Sequence, residues 1–305
     1  MVDIVLVHGI AQEQRSADAL EAEWVPALAG GVRNAGFPEL ADRLWRAQRP
    51  GSLDTRMAFY GNEFIRKGSQ GATDGILIDT DDATIESLAT EWLENATESC
   101  NERDAGNAAM ELAALRATGE SQGLRSGAVL AVRGIDRIPW MTRGGLAVVG
   151  RFNKAITQVG AYMSNDAVRK KVLSRVEALL DSDPKIVVSH SLGSVVAYEL
   201  LRDRSQRIPL FITLGSPLGL RTIRNRLSKG AQFPSVEKWI NLVDRNDIVA
   251  ARPNIQRFFD AGRPEAALFE SSYTVDNGSS PHDARFYLGK EVVGSAIAQL
   301  LDSGS

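Results

Sequence analysis

Three residues stand in an order and spacing suited to acyl-group chemistry: Ser191, Asp247 and His282. A serine hydroxyl is a weak nucleophile at neutral pH and needs a base to take its proton. The chain has three histidines, His8, His190 and His282. His190 adjoins Ser191, so at a tight corner its side chain is expected to point elsewhere. His8 sits in an early loop and reads as a packed residue that buttresses it. His282 is left as the base. It falls near the start of a helix, where an imidazolium is disfavoured, so a carboxylate must orient the ring and stabilise its charge. Asp247, in Asp-Ile-Val after a strand, is the expected carboxylate. Asp244 lies closer to that strand and competes with it, or else braces the turn. Asp283 reads as a helix N-terminal charge, and no metal or cofactor is expected.

The serine must be held where its hydroxyl is exposed to substrate. Lys185 to Ser189 is apolar and β-branched and reads as a buried strand. A helix begins near Leu192 and buries Val195, Val196, Leu200 and Leu201. Ser191 then falls on a sharp strand-to-helix turn, which strains the residue and pushes its Oγ into a cleft. The tightness of the turn asks for small residues two before and two after, here Ser189 and Gly193. The usual spelling is Gly-x-Ser-x-Gly, and Ser189 departs from it. Backbone N–H groups at the helix start face any oxyanion formed on Ser191. Val2 to Val7 reads as a strand leading into His8-Gly9-Ile10-Ala11, and the N–H of Ile10 is expected to be the second oxyanion donor. Ser216, a rival nucleophile, precedes Pro217 in a loop without the strand-serine-helix pattern.

Further elements follow from periodicity. Residues 16 to 35 read as a helix with Leu20, Trp24, Ala27, Leu28 and Val32 on one face. Strands are expected at Thr55–Tyr60, Ile208–Leu214, Glu237–Val243 and Leu268–Val275. A helix capped by Asn165 or Asp166 runs to about Asp181. A last helix runs from Pro281 to Leu301, capped by Ser280, with Phe286, Val292, Val293, Ile297, Leu300 and Leu301 facing the core. The fold class is therefore α/β, with a mostly parallel sheet of about six strands flanked by helices. Between 65 and 165 the pattern turns helical, at Ile85, Leu88, Trp92 and Leu93 and again at Met110, Leu112 and Leu115. The one strand read there is Ala128–Val132. Residues 1–64 and 166–305 are read as the core, and 65–165 as an inserted helical cap.

The composition bounds the function. Hydrophobic residues make up 44% and charged residues 24% of 305, which is ordinary for a globular chain large enough for one α/β core. A net charge of −3 gives no global field for nucleic acid. Cys100 is the single cysteine, so no internal disulfide can form. The opening residues lack the basic start and small-residue cleavage site of a secretory signal. No run of eighteen apolar residues is free of charge, and a cytoplasmic location is expected. Within the insertion, Asp79 to Asp104 carries nine acids and one base, Arg103. Residues 133–165 carry five bases, one acid and many apolar side chains. Such a stretch suits an anionic membrane surface or lipid head group; the plainer reading is a lid helix packed on the core.

The stretches Val-His-Gly-Ile (7–10), Ser-His-Ser-Leu-Gly-Ser-Val-Val-Ala-Tyr-Glu (189–199) and Thr-Leu-Gly-Ser-Pro-Leu-Gly (213–219) share a resemblance with Trp-Ile-Asn-Leu-Val-Asp-Arg-Asn-Asp-Ile-Val (239–249) and the Pro-His ahead of Tyr-Leu near 281–288. Together they resemble bacterial lipase- and esterase-like α/β-hydrolases, relatives of GPI inositol-deacylase and DUF676-type serine esterases. The resemblance covers about 1–60 and 166–302. It implies Ser191 as nucleophile, His282 as base, Asp247 as acid, and the N–H groups of Ile10 and Leu192 as oxyanion donors. The order serine, acid, histidine is that of the α/β-hydrolase fold. The expected activity is hydrolysis of a small-molecule or lipid ester through an acyl-enzyme. The same residues would serve a thioesterase, peptidase or acyltransferase, and the fold could also host a binding protein without turnover.

Overall fold

The computed structural model describes residues 2–45, 53–65, 81–99, 102–119, 151–250 and 254–302. In chain order the elements are β1 (Ile4–Val7), α1 (Ala17–Asn34), α2 (Pro38–Trp45) and β2 (Thr55–Ala58), then α3 (Asp82–Ser99), α4 (Glu102–Gly119), α5 (Arg151–Ser164) and α6 (Asp166–Leu180). They continue with β3 (Ile186–His190), α7 (Leu192–Arg202), β4 (Ile208–Leu214), α8 (Arg221–Arg224), β5 (Val236–Asp244), α9 (Gln256–Phe259), β6 (Leu268–Val275), α10 (Ala284–Leu288) and α11 (Glu291–Asp302).

The six strands form one parallel sheet in the order β2-β1-β3-β4-β5-β6. Parallel strands need both faces covered, and the side-chain alternation provides two apolar faces. Val5, Val7, Val187, Phe211, Trp239 and Phe269 belong to one core. Ile4, Leu6, Ile186, Val188, Leu210, Ile212, Ile240 and Leu242 belong to the other. The second core is closed by α1, α2, α10 and α11, through Leu20, Leu28, Val32, Leu44, Tyr287 and Ile297. The first is closed by α6 and α7 and by the helices inserted between β2 and β3. Leu88, Trp92 and Leu93 of α3, Leu112 of α4, and Ile156, Val159 and Tyr162 of α5 are continuous with the sheet-facing residues. Register aligns Val7 with Ser189 and His190 with Leu214. The loops that leave β1, β3, β4 and β5 therefore open side by side at one end of the sheet, where ligands of open α/β sheets bind.

Several elements depart from the sequence expectation. The last helix is two: α10 starts at Ala284, and α11 follows after Gly289 and Lys290. Its cap is Asp283, whose carboxylate accepts from the Arg285 N–H, and not Ser280. Residues 277–283 are tied instead into turns, with Asn277 Nδ2 donating to Pro281 O at 3.0 Å and the Asp283 N–H donating to Ser280 O at 3.0 Å. Phe286 is 46% exposed and faces solvent, because a helix of five residues starting at Ala284 turns Tyr287 and Leu288 inward. Met110 is likewise exposed, while Leu112 is buried beside it. The short helix α2 was not foreseen; Leu40, Ala41 and Leu44 make its buried face. Ala128–Val132 and residues 133–150 of the basic stretch lie outside the described residues. Among the described residues no helix is long and apolar enough to cross a membrane.

Candidate active site

Ser191 occupies the single residue between β3 and α7, at φ 53° and ψ −131°. A non-glycine residue in that region costs roughly 1–3 kcal/mol and is held only by its surroundings. Its N–H donates to Leu214 O at 3.0 Å, and its carbonyl accepts from the Ser194 N–H at 3.0 Å and the Ser194 hydroxyl at 2.6 Å. Gly193 is required for a reason other than the one expected. A Cβ there would lie 2.2 Å from His8 O and 2.5 Å from Val7 O, so the glycine lets α7 press onto the end of β1. Ser189 is accommodated because its hydroxyl donates to Ile212 O at 3.2 Å on the neighbouring strand.

The structure brings Ser191, His282 and Asp247 into one hydrogen-bonded chain. His282 Nε2 lies 3.0 Å from Ser191 Oγ, and its Nδ1 lies 2.9 and 2.8 Å from the two carboxylate oxygens of Asp247. Nδ1–H must donate to the carboxylate, which leaves the Nε2 lone pair for the serine proton. The Asp247 carboxylate also accepts from the N–H groups of Val249 (3.2 Å) and Ala250 (3.3 Å) and from the Tyr287 hydroxyl (2.8 Å). Asp244 does not touch His282. It accepts from the N–H groups of Asn246 and Asn277 and so braces the turn. Burial pushes its carboxyl above the usual range, against the pull of those two donors. Gly215, at φ +54°, passes so close that a Cβ would stand 2.7 Å from Asp247 Oδ2 and 3.2 Å from His282 Nδ1.

The loop after β1 lies against Ser191; a Cβ on Gly9 would fall 2.6 Å from Ser191 Cβ. The N–H groups of Ile10 and Leu192 have no partner among the described residues. The next donor, the Ala11 N–H, is bound to Gln158 Oε1 at 2.8 Å. His8 is wholly buried and uses both ring nitrogens: Nδ1–H donates to Gly9 O at 2.6 Å, and Nε2 accepts from the Tyr60 N–H at 3.0 Å. Burial lowers its pKa to about 4, so it is a neutral strut. The Ser216 hydroxyl is sealed in the core, 2.6 Å from the Ser194 hydroxyl.

His190 differs from expectation. Its ring does not turn away but packs 4.6 Å from the His282 ring, with Trp24 edge-on at 6.0 Å. Burial, and then the neighbouring His282, hold its pKa well below the ordinary histidine value. A neutral wall of this kind confines the His282 ring without competing for its proton. Tyr287 and Gln158 were also missed. Tyr287 accepts from the Asp244 N–H (2.8 Å) while donating to Asp247, which ties the acid loop to α10. Gln158 lies within the buried stripe Ala155, Val159, Tyr162 of α5, and a polar residue in such a stripe was the available signal.

A cleft of about 550 Å³ opens over Ser191 and His282. Ile10, Leu20 and Trp24 make its apolar wall, and the ion pairs Arg15–Glu23 and Asp283–Arg285 stand beside it. None of the described residues between 65 and 165, the stretch read as an inserted cap, lines it. Among the described residues no three His, Cys, Asp or Glu side chains gather as a metal site requires. Comparison with known proteins finds no matching family model, no matching curated protein and no matching solved structure.

Proposed function

We propose that this chain is a serine ester hydrolase of the α/β-hydrolase superfamily. The observation that carries the reading is the unbroken chain Ser191 Oγ, His282, Asp247 at 2.8–3.0 Å beside two N–H groups without a partner among the described residues. The strained backbone of Ser191 supports it, because such strain persists where function demands it.

In this reading Ser191 Oγ attacks the ester carbonyl carbon while its proton passes to His282 Nε2. The imidazolium is stabilised by Asp247, which four protein donors hold in place: His282, Tyr287, Val249 and Ala250. The carbonyl oxygen becomes an oxyanion and takes the N–H groups of Ile10 and Leu192. His282 returns the proton to the departing alkoxide, and an acyl group remains on Ser191. Water then donates a proton to His282 and attacks the acyl carbon, releasing the acid and restoring the serine. The apolar wall of Ile10, Leu20 and Trp24 is a seat for the acyl group. We place the reaction in the cytoplasm, which accords with a chain whose one cysteine cannot form an internal disulfide.

A fluorophosphonate probe and short p-nitrophenyl esters test the proposal. Wild-type protein should be labelled at Ser191 and release p-nitrophenol. Ser191→Ala should lose labelling and at least ~1000-fold in turnover with its far-UV spectrum unchanged. Equal turnover by the variant would sink the assignment.

A further inference from the structure

Helix α5 reaches both elements that carry the candidate oxyanion donors. Gln158 is 1% exposed and faces the loop after β1. Its Oε1 accepts the Ala11 N–H at 2.8 Å, and its Nε2 donates to Glu13 Oε2 at 3.0 Å. Ala11 stands at φ +60°, a conformation that an L-residue adopts only under constraint. The loop is thus bent at Ala11 and pinned on both sides of the bend by one side chain. The Ala11 N–H is thus occupied, while the Ile10 N–H beside it has no partner among the described residues.

Four residues along the same face, Tyr162 donates its hydroxyl to Glu199 Oε2 at 2.5 Å. Glu199 belongs to α7, whose first residue is Leu192. Arg169 of α6 pairs with the same carboxylate, so the junction is buried and charge-balanced. The apolar side of α5, through Ile156 and Val159, is fixed in the core, where the helix packs on α3 and α6. One rigid helix therefore holds the loop of the first donor with one side chain and the helix of the second donor with another.

We propose that α5 is a clamp that sets the separation of the Ile10 and Leu192 N–H groups, with Gln158 and Tyr162 as its positioning residues. The proposal rests on the serine-hydrolase reading of Ser191. Neither side chain touches substrate. Each acts on the transition state through the placement of a donor, so its loss lowers kcat and spares KM.

The test uses the full chain and p-nitrophenyl acetate. Gln158→Leu should lower kcat by ~10–100-fold, less than deletion of a donor, with KM within ~3-fold of wild type. The exchange Gln158→Glu with Glu13→Gln leaves the Ala11 N–H donating to the side chain at 158, reverses donor and acceptor in the bond between 158 and 13, and should return kcat to within ~5-fold of wild type. Tyr162→Phe removes one hydroxyl and should cost ~3–10-fold in kcat. It also keeps the test open if Gln158→Leu fails to fold. A Gln158→Leu protein as fast as wild type, an exchange variant as slow as Gln158→Leu, or a Tyr162→Phe with unchanged kcat overturns the clamp. Wild-type protein that takes neither ester nor fluorophosphonate overturns the hydrolase reading first, and the clamp with it.

Discussion

Replacing His8 with glutamine should flatten the acid side of this protein's stability curve. In the folded chain the His8 ring is wholly buried and stacked on Tyr60 at 4.1 Å. Its Nε2 is the acceptor for the Tyr60 N–H, so a proton there would break that bond and bury a charge. Burial accordingly lowers the pKa from 6.5 to about 4. The sign of the linkage follows. Above pH ~6.5 the ring is neutral in both states and its contribution is intact. As the pH falls, the unfolded chain takes up the proton first, and stability is lost until the folded ring titrates near pH 4. The full loss is about 3 kcal/mol, and about 2 kcal/mol has gone by pH ~5.

Glutamine keeps an acceptor for the Tyr60 N–H and does not titrate. Urea unfolding at about pH 7.5 and about pH 5 measures the difference. Wild type should lose about 2 kcal/mol more than His8→Gln between the two conditions, whatever the variant costs at neutral pH. His190, also held neutral by burial, is present in both proteins and cancels. Equal losses would refute the argument, because they would mean that His8 takes its proton as readily in the fold as outside it.

Two further contrasts probe the acid loop. Asp247→Asn should cut kcat on the order of 10⁴-fold by leaving the His282 Nδ1–H without its carboxylate. Asp244→Asn should keep kcat within ~3-fold and lower the thermal midpoint instead; a reversal of the two would exchange their roles. Gly215→Ala puts a methyl group at 2.7 Å from Asp247 Oδ2 at a positive φ. It should cost ~100-fold or more in kcat with an unchanged far-UV spectrum, since a small displacement of a catalytic group is enough.

The legible parts of the site are those whose signal is local. A β-branched strand, a small residue, a serine and a helix with buried Val195 and Val196 lie within fourteen residues, and they fold as their order suggests. That His282 and Asp247 meet Ser191 could be read because histidine is scarce and the strands are regular. What escaped depends on partners far along the chain. Gly193 looked like a small residue demanded by Ser189, yet the atoms it must clear belong to Val7 and His8. His190 looked averted because it adjoins Ser191 at a tight corner, but adjacency does not say which loop will fold over its face. The Ala11–Gln158 bond spans 147 positions; the buried stripe of α5 marks Gln158 as unusual, but nothing near it announces its donor. The break before α11 shows the limit of periodicity, since the apolar spacing runs on past Gly289 while the backbone does not.

The helices between β2 and β3 stand in the place of a lid in the sequence, but their contacts are those of a foundation. Trp92 of α3 donates its indole N–H to Val249 O (3.3 Å), in the loop that carries Asp247. Glu91, one residue earlier, accepts the N–H groups of Arg221 (2.9 Å) and Thr222 (2.7 Å) after β4. Gln158 and Tyr162 of α5 hold the two remaining elements of the site. The cleft over Ser191 opens on the other side, between the 9–15 loop, α1 and α10. A motion that lifted α3 or α5 from the sheet would release the acid loop and the Ile10 loop together, and would dismantle the geometry it was meant to expose. Under the proposed reaction, and among the described residues, substrate enters past Trp24 and Arg285, and selectivity belongs first to side chains on α1 and at the start of α10.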